Sequence, residues 1–379
     1  MNTAFPERIA QARELDGLSK TDLAQQLGVS VAAVSQWEDG SKKPTTDNLV
    51  SISKVLDVSM TLLMMPIPQD LLRRGPITFR AHSAAKTAQM KRRAFRFAEM
   101  VSELYIWLEK WVTFPQTNLP DISTSDVEQA ALECRRAWGL GDRPITKLGE
   151  LLESKGIRLC SAEFNDIRFD AYSCKISGRP FVFLGTKKQD RARSRFDAAH
   201  ELGHLLLHQH LSDDELEANS REIEKQANSF AAAFLLPAET FTKDVIDTSV
   251  DGFKRLKPKW GVSIQAMITR AKDLELISEE TYERHFRNIS ARGWRKAKAE
   301  PFDDAVPLVN RSLGRTSLEL LNNGNVIKPW EIPSELPLPN AIFQSVFETD
   351  LKSVIPYKMD RVVVTPEFLR PPKDTSSFN

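Results

Sequence analysis

The sequence predicts an α+β protein in which an all-helical N-terminal module is followed by a larger domain of mixed helices and strands. Three observations support this: short capped helices near the start, two runs rich in β-forming residues after position 155, and long amphipathic helices beyond them. A chain of 379 residues is expected to form two or three domains. We expect boundaries that give segments 1–65, 66–120, 121–300 and 301–379.

The N-terminal module reads as two short helices joined by a tight turn. Ser19 and Ser30 are good N-cap residues, and Gly28 supplies the turn between the helices. The second helix is expected at 31–39, where the layout is that of a helix-turn-helix whose second helix enters the major groove. Over about 9–63 the sequence resembles the Cro/lambda-repressor type, or XRE family.

Few side chains of this module are suited to reading DNA. The recognition helix begins with methyl groups, and only Ser35 and Gln36 are able to hydrogen-bond base edges there. Acidic residues outnumber basic ones within 1–65, whereas a DNA reader usually has a basic face. A module that contacts protein therefore stays open beside one that binds a DNA operator. If the module binds DNA, we expect the contacts to come from Lys20, Thr21, Val31, Ala32, Ser35, Gln36, Lys42 and Lys43.

The segment 66–120 is predicted to be a helical basic linker, with a long helix at about 86–112. Between residues 73 and 99 the basic residues of this segment are opposed only by Glu99. A solvated helix face and a phosphate-contacting linker both fit this pattern, and we favour the solvated face. The basic residues are Arg73, Arg74, Arg80, Lys86, Lys91, Arg92, Arg93 and Arg96.

The segment that follows begins with two predicted helices and two predicted strands. The helices are expected at 125–138 and 145–155, and the strands at 156–164 and 179–185. Beyond residue 301, prolines break the pattern into short pieces, and the sequence assigns no role to 301–379.

His200 and His204 lie four residues apart in a predicted helix, so they share one helical face and can hold one zinc ion. They form an H-E-x-x-H pattern in which Glu201 is placed to take a proton from water. The competing interpretation is an ordinary amphipathic helix, because a bare match also arises by chance. His208 extends the same face by one turn, and we favour a capping or core role for it over support of the metal site.

A catalytic zinc usually takes three protein ligands and one water, so a third ligand is needed. The next helix, expected at about 221–236, supplies acidic candidates. At about 100° per residue, Glu224 lies at the edge of the apolar stripe and Glu222 lies on the opposite face. Helical phase therefore favours Glu224 as the third ligand, with a surface carboxylate near a helix start as the alternative.

These two segments resemble the ImmA/IrrE family of zinc metallopeptidases, which cut repressors. The residues that carry the resemblance read FDAAHELGHLLLH from position 196, EKQANSFAA from 224 and LLP from 235. The similarity covers roughly 138–301. Gln226 departs from the family, where many members carry Glu.

The resemblance implies a zincin-like (gluzincin) α+β metallopeptidase domain that binds Zn²⁺. It implies His200, His204 and Glu224 as ligands, Glu201 as the general base and a repressor protein as substrate. In zincin folds a strand beside the metal helix pairs with the extended substrate, and 181–184 is our candidate for that edge. A buried central strand is the alternative. His208, Tyr172 or a residue of the tail are candidates for stabilising the oxyanion.

Composition limits the remaining possibilities. The balance of 52 basic and 51 acidic residues argues against a global charge for binding nucleic acid or membrane. No apolar run approaches the ~18 residues of a membrane span, and no secretory signal is recognisable. Cys134, Cys160 and Cys174 are few and odd in number, so they are predicted to be reduced core thiols. We therefore expect a cytoplasmic protein.

The function predicted from the sequence is that of a zinc endopeptidase and transcriptional regulator with a DNA-binding arm. It is expected to cleave a repressor in response to a signal, with a homodimer as a possible assembly. The alternative is a non-catalytic DNA-binding transcription factor or antitoxin that uses the peptidase fold as a sensor or scaffold.

Overall fold

The chain is described here from a computed structural model, over residues 4–72, 77–79, 87–162, 171–185, 190–295 and 300–351. Its first part is helical, as predicted, and a short 3₁₀ helix (Gln69–Leu72) follows it. The helices of this part are α1 (Pro6–Asp16), α2 (Lys20–Leu27), α3 (Val31–Glu38), α4 (Thr46–Val55) and α5 (Met60–Leu63).

The predicted caps and turn of the helix-turn-helix are confirmed. Ser19 begins α2 with a capping box, in which Ser19 and Asp22 exchange side-chain and backbone hydrogen bonds. Gly28 ends α2 in the left-handed conformation that glycine adopts without steric cost (φ +67°), and Ser30 caps α3. These local bonds set the angle between α2 and α3.

The remaining helices of the described ranges are α6 (Thr87–Leu108), α7 (Val127–Ala137), α8 (Leu148–Ser154), α9 (Arg191–Leu207), α10 (Asp213–Ala218), α11 (Ser220–Leu235), α12 (Ala238–Asp244), α13 (Val250–Trp260), α14 (Ile264–Asp273), α15 (Glu279–Ala291), α16 (Leu313–Asn323), α17 (Ile332–Glu335) and α18 (Asn340–Phe347). Helices α6, α7, α8, α9 and α11 follow the predicted amphipathic segments, and where bounds were predicted they differ by a few residues, whereas the other helices had no predicted bounds. Among the helices in the described ranges, none is both long and apolar enough to span a bilayer.

Within the part of the chain that the structure describes, four strands form one sheet in the order β1-β3-β4-β2. They are β1 (Ile77–Phe79), β2 (Arg158–Ser161), β3 (Ala171–Ile176) and β4 (Arg179–Leu184). β4 pairs with β3 on one side and with β2 on the other, so its backbone groups are already hydrogen-bonded. The prediction that 181–184 forms an edge for substrate is therefore wrong, and the alternative of a buried central strand is correct.

The two faces of the sheet belong to different hydrophobic cores. Phe181 and Phe183 pack with α6, the C-terminal helices and the helix-turn-helix, whereas Val182 and Leu184 pack with α9 and α11. Alternation along a strand explains this division, because neighbouring side chains point to opposite faces. Tyr172 lies on the α6 side, where its ring stacks on Phe183 at 4.5 Å. Its proposed role in stabilising an oxyanion is therefore wrong, because α9 lies on the other side of the sheet.

Helix α6 connects the helix-turn-helix to the sheet through buried charges on α1. Arg8 forms a bidentate pair with Glu103, with bonds of 2.6 and 2.8 Å. Arg93 donates to the Leu15 carbonyl, and Arg96 pairs with Glu14 and Glu99 at 2.7 Å. These two arginines thus do not form the solvated face that we favoured, since α1 packs over them. Arg73, Arg74, Arg80 and Lys86 of the same basic stretch lie outside the described residues.

The segment beyond residue 301 packs against the peptidase-like part of the chain. Glu153 accepts hydrogen bonds from the backbone N–H groups of Ser312 and Leu313 just where α16 begins. A Cβ at Gly314 would collide with the backbone of Val346, so α16 and α18 approach too closely for a side chain there. Helix α18 also contacts α6 and β2 and covers the sheet face that bears Phe183.

Candidate metal centre

The candidate ligands His200 and His204 lie on α9, a helix with a side-chain N-cap, in the core of the domain. Asp190 begins α9 by accepting a hydrogen bond from the Arg193 amide at 2.9 Å. Both histidines and Glu201 are 0% exposed. Buried imidazole and carboxylate groups need polar partners, so their burial is itself a sign of a functional cluster.

Helix α11 brings the third candidate, Glu224, to the two histidines. The close packing of α9 on α11 depends on Gly203, because a Cβ there would lie only 3.1 Å from the ring of Phe230. Glu224 is 27% exposed as a side chain and reaches inward, whereas Glu222 lies on the solvent-exposed face of α11. The two carboxylates thus lie where helical phase predicted them.

Three ligand atoms converge at this point. His200 Nε2 lies 3.0 Å from His204 Nε2, and Glu224 oxygens lie 3.6 and 3.5 Å from the same two nitrogens. All three ligand atoms fall within 4.8 Å of one another. Zinc binds such nitrogen and oxygen atoms at about 2.0–2.2 Å in a tetrahedron, so neighbouring ligand atoms are roughly 3.4 Å apart. The donor set and its spacing therefore fit one zinc ion.

Two further side chains of α11 contact the outer nitrogens of the histidines. His200 Nδ1 lies 3.1 Å from Asn228 Oδ1. His204 Nδ1 lies 3.0 Å from His208 Nδ1, whose other nitrogen lies 2.9 Å from Gln226 Oε1. His208 is also the C-cap residue of α9, as favoured from the sequence. Burial lowers the pKa of its imidazole, although the hydrogen bond to Gln226 acts in the opposite direction.

Glu201 lies between the ligands and the sheet. Its backbone carbonyl accepts a hydrogen bond of 3.4 Å from the Ser173 hydroxyl on β3. Burial raises the pKa of the neighbouring Cys174 thiol, and the negative charges of Cys160 and Glu201 add to the rise. Glu201 is therefore buried inside the domain, its backbone contacts β3, and it is adjacent in sequence to the candidate ligand His200.

An open cavity of about 790 Å³ adjoins the cluster and includes Glu224 in its wall. Phe196 lines it, and its side chain is therefore only half-buried. A second cavity of about 270 Å³ shares Phe196, Ala266 and Thr269 with the first and continues to Trp294. The two cavities thus adjoin each other along α9 and α14, and the larger one reaches Glu224 and Asn228.

The sequence prediction did not assign roles to Asn228, Gln226 and Ser173. Asn228 carried a usable signal, because it lies one helical turn after Glu224 and so shares its face. Gln226 and Ser173 carried none, because their contacts with α9 depend on how helices and strands pack. His210 lies exposed after α9, as expected for a loop residue.

The predicted DNA-contacting residues cluster at the start of α2, on α3 and in the loop after α3. Val31, Ala32, Lys42 and Lys43 are exposed. The Lys20 ammonium lies 3.4 Å from the Ser35 hydroxyl and 3.6 Å from a Glu38 oxygen. Thr21 is exposed and Gln36 is half-buried.

Curated relatives match the chain over its N-terminal part. They include the HTH-type transcriptional regulator DicA of Escherichia coli K12 (40% identical over 63 residues, 17% of this chain and 47% of the relative). The uncharacterized HTH-type transcriptional regulator YqaE of Bacillus subtilis is 33% identical over 60 residues, 16% of this chain and 52% of the relative. The cryptic phage CTXphi transcriptional repressor RstR of Vibrio cholerae is 32% identical over 54 residues, 14% of this chain and 48% of the relative. The chain thus spans about half the length of these relatives.

Two family models match separate parts of the chain. Residues 9–63 match the helix-turn-helix model, and residues 152–272 match the model of the IrrE N-terminal-like domain. The second match includes β2, β3, β4, α9, α11 and α14, and therefore all three candidate ligands. The chain therefore carries an N-terminal helix-turn-helix domain of the XRE type and a domain of the IrrE/ImmA peptidase family.

Proposed function

We propose that this protein is a zinc-dependent endopeptidase that acts together with its helix-turn-helix arm in transcriptional control. The observation that carries this proposal is the convergence of His200, His204 and Glu224 within 4.8 Å beside buried Glu201. A two-histidine, one-carboxylate set leaves a fourth position for water, which is typical of catalytic rather than structural zinc.

Each residue has a defined role in this reaction. His200, His204 and Glu224 hold the ion, which when bound polarises the scissile carbonyl and lowers the pKa of water. Glu201 accepts a proton from the attacking water and passes it to the amine nitrogen as the C–N bond breaks. Burial of Glu201 keeps bulk water from competing for this proton.

The proposed substrate is a repressor protein. Two adjoining cavities, of about 790 and 270 Å³, lie beside α9, and the larger one, which includes Glu224 in its wall, is our proposed position for an extended stretch of substrate. A relative of the helix-turn-helix arm is named as a transcriptional repressor, and a repressor with a similar arm is our proposed target.

The decisive experiment compares the parent with the Glu201→Gln variant. The variant keeps the size of the side chain but removes the base, so it should keep about one zinc per chain. It should lose about 10²- to 10⁴-fold in cleavage. Pull-down with the variant, followed by mass spectrometry, identifies the protein whose fragments the parent produces. Unchanged regulation by the variant, with no fragment from the parent, would leave only the non-catalytic alternative.

A DNA-binding transcription factor that uses the peptidase fold as a sensor is the second candidate. It is favoured by the exposed start of the recognition helix, at Val31 and Ala32, and by exposed Lys42 and Lys43 in the loop after it. We propose that Gln36 and Ser35 read base edges and that Lys20, Thr21, Lys42 and Lys43 contact phosphates.

Mobility-shift assays with neighbouring promoter DNA test this arm. Gln36→Ala should relax sequence preference, because a side chain that reads a base edge is lost. Lys42→Ala should weaken binding to all sequences and lower the salt dependence by about one phosphate contact. If no promoter DNA shifts selectively, the arm contacts protein instead.

A further inference from the structure

We propose that His208 and Gln226 form a hydrogen-bonded relay that fixes His204 in the tautomer able to bind the metal. This inference rests on the proposed metal centre and adds two positioning residues to it. Neither residue is a ligand in the proposed set: His208 contacts the ligand His204, and Gln226 contacts His208.

The relay follows from the positions of the His204, His208 and Gln226 side chains. His204 and His208 are four residues apart on α9, so they lie on one face, and their Nδ1 atoms are 3.0 Å apart. The other nitrogen of His208, Nε2, lies 2.9 Å from Gln226 Oε1 on α11. His204 is 0% and His208 2% exposed, so water does not substitute for these bonds.

The direction of each bond is set by hydrogen-bonding capacity. An amide oxygen only accepts, so the proton of a neutral His208 lies on Nε2 and its Nδ1 is an acceptor. The partner of that acceptor, His204 Nδ1, must then carry the proton of the His204 ring. Its Nε2 is left with a lone pair, and this is the atom that lies 3.0 Å from His200 Nε2 and 3.5 Å from Glu224.

His200 shows the same arrangement in a shorter form. Its Nδ1 lies 3.1 Å from the amide oxygen of Asn228, which accepts the proton directly. His200 thus contacts Asn228 and His208 contacts Gln226, two amide side chains of the same helix α11. His208 therefore links the Gln226 amide on α11 to His204, the ligand that lies further along α9.

Zinc affinity measured by competition with a chromogenic chelator tests the relay in the full chain. Gln226→Leu and His208→Leu should each weaken zinc binding by about 10- to 100-fold, as losses of such supporting bonds do. The double variant should be no weaker than His208→Leu alone, because the two residues act as one unit. Gln226→Glu keeps an acceptor oxygen and should restore affinity to within a few-fold of the parent.

Two controls make the outcome unambiguous. Lys225→Leu changes the exposed neighbour on α11 and should leave zinc affinity unchanged. Urea unfolding of the zinc-free variants checks that each still folds. Parent-like zinc affinity in Gln226→Leu, or fully additive losses in the double variant, would overturn the relay while leaving the metal centre intact. A parent chain that binds no zinc would overturn both proposals.

Discussion

Two clusters of buried polar side chains, one between α1 and α6 and one between α9 and α11, differ in how their charges are balanced. Between α1 and α6, Arg8 faces Glu103 and Arg96 faces Glu14 and Glu99. Each charge in this cluster therefore has an opposite charge within hydrogen-bonding distance. The cluster is electrostatically complete within the chain.

Between α9 and α11 the side chains instead converge on a common point. The ligand atoms of His200, His204 and Glu224 lie close to one another. The Asn228 amide oxygen accepts from the outer nitrogen of His200, and His208 contacts the outer nitrogen of His204. Only a cation at the point of convergence is attracted by all three ligand atoms. A buried polar cluster in which every charge has an opposite charge beside it indicates a structural contact. A cluster whose ligand atoms converge on one point indicates a binding site.

The largest effect is expected from removing one partner of the buried ion pair between α1 and α6. Glu103→Leu leaves the Arg8 guanidinium buried without its carboxylate, which should cost about 3–5 kcal/mol. Replacing both residues, with Arg8→Met and Glu103→Leu, should recover part of this loss because no buried charge remains. Lost bonds to the Met65 and Pro66 carbonyls keep the double variant below the parent. Urea unfolding measures both, and a double variant less stable than Glu103→Leu contradicts the interpretation.

The next largest effect is the stabilisation of the folded protein by zinc bound between α9 and α11. Free zinc at about a thousand times its Kd should stabilise the parent by about 4 kcal/mol, because a ligand of the native state stabilises it by mass action. A chelator should therefore lower the melting temperature of the parent. The His200→Ala/His204→Ala variant, which lacks both imidazoles, should melt at the same temperature with and without zinc. Zinc-dependent melting of that variant would place the ion elsewhere.

A smaller effect separates the two acidic residues at the start of α11. Glu224→Ala should lower zinc affinity by more than about 100-fold, since a ligand is lost rather than a supporting bond. Glu222→Ala is the matched control, because its side chain lies on the exposed face. Metal analysis and chelator competition measure both variants. Equal losses of zinc affinity in the two variants would show that the assignment of Glu224, rather than Glu222, to the metal-facing side of α11 is wrong.

The smallest effect concerns a third charge cluster, which lies nearer the surface at the end of α6. Burial tends to raise the pKa of Glu109, but hydrogen bonds and ion pairs with Arg179 and Arg158 lower it overall. The folded pKa is below the ordinary value of 4.5, so this stabilisation is present above pH 4.5 and is lost as pH falls through the folded pKa. Glu109→Gln should therefore be less stable than the parent near neutral pH. The gap should close in acid, and unfolding curves at several pH values check this.

Regular local patterns explain why much of the site could be predicted. The spacing of His200 and His204 and the phase of Glu224 refer to residues within one helix, where geometry is fixed by 3.6 residues per turn. The caps at Ser19 and Ser30 likewise involve atoms only three residues away. The chain of contacts through Gln226 and Asn228 was not predicted, because it depends on the register between two helices.

The presence of the helices that carry the candidate site, the capped turn of the helix-turn-helix and the face of α9 that bears the histidines could be read from the amino-acid sequence. The central position of β4, the pairing of β1 with β3 and the packing of α1 over Arg93 and Arg96 follow only from the folded chain. The position of the helices beyond residue 301 over the sheet also follows only from the folded chain. The physical reason is distance along the chain: helix spacing and capping bonds join near neighbours, whereas strand order and buried ion pairs join segments whose approach only the packed core selects.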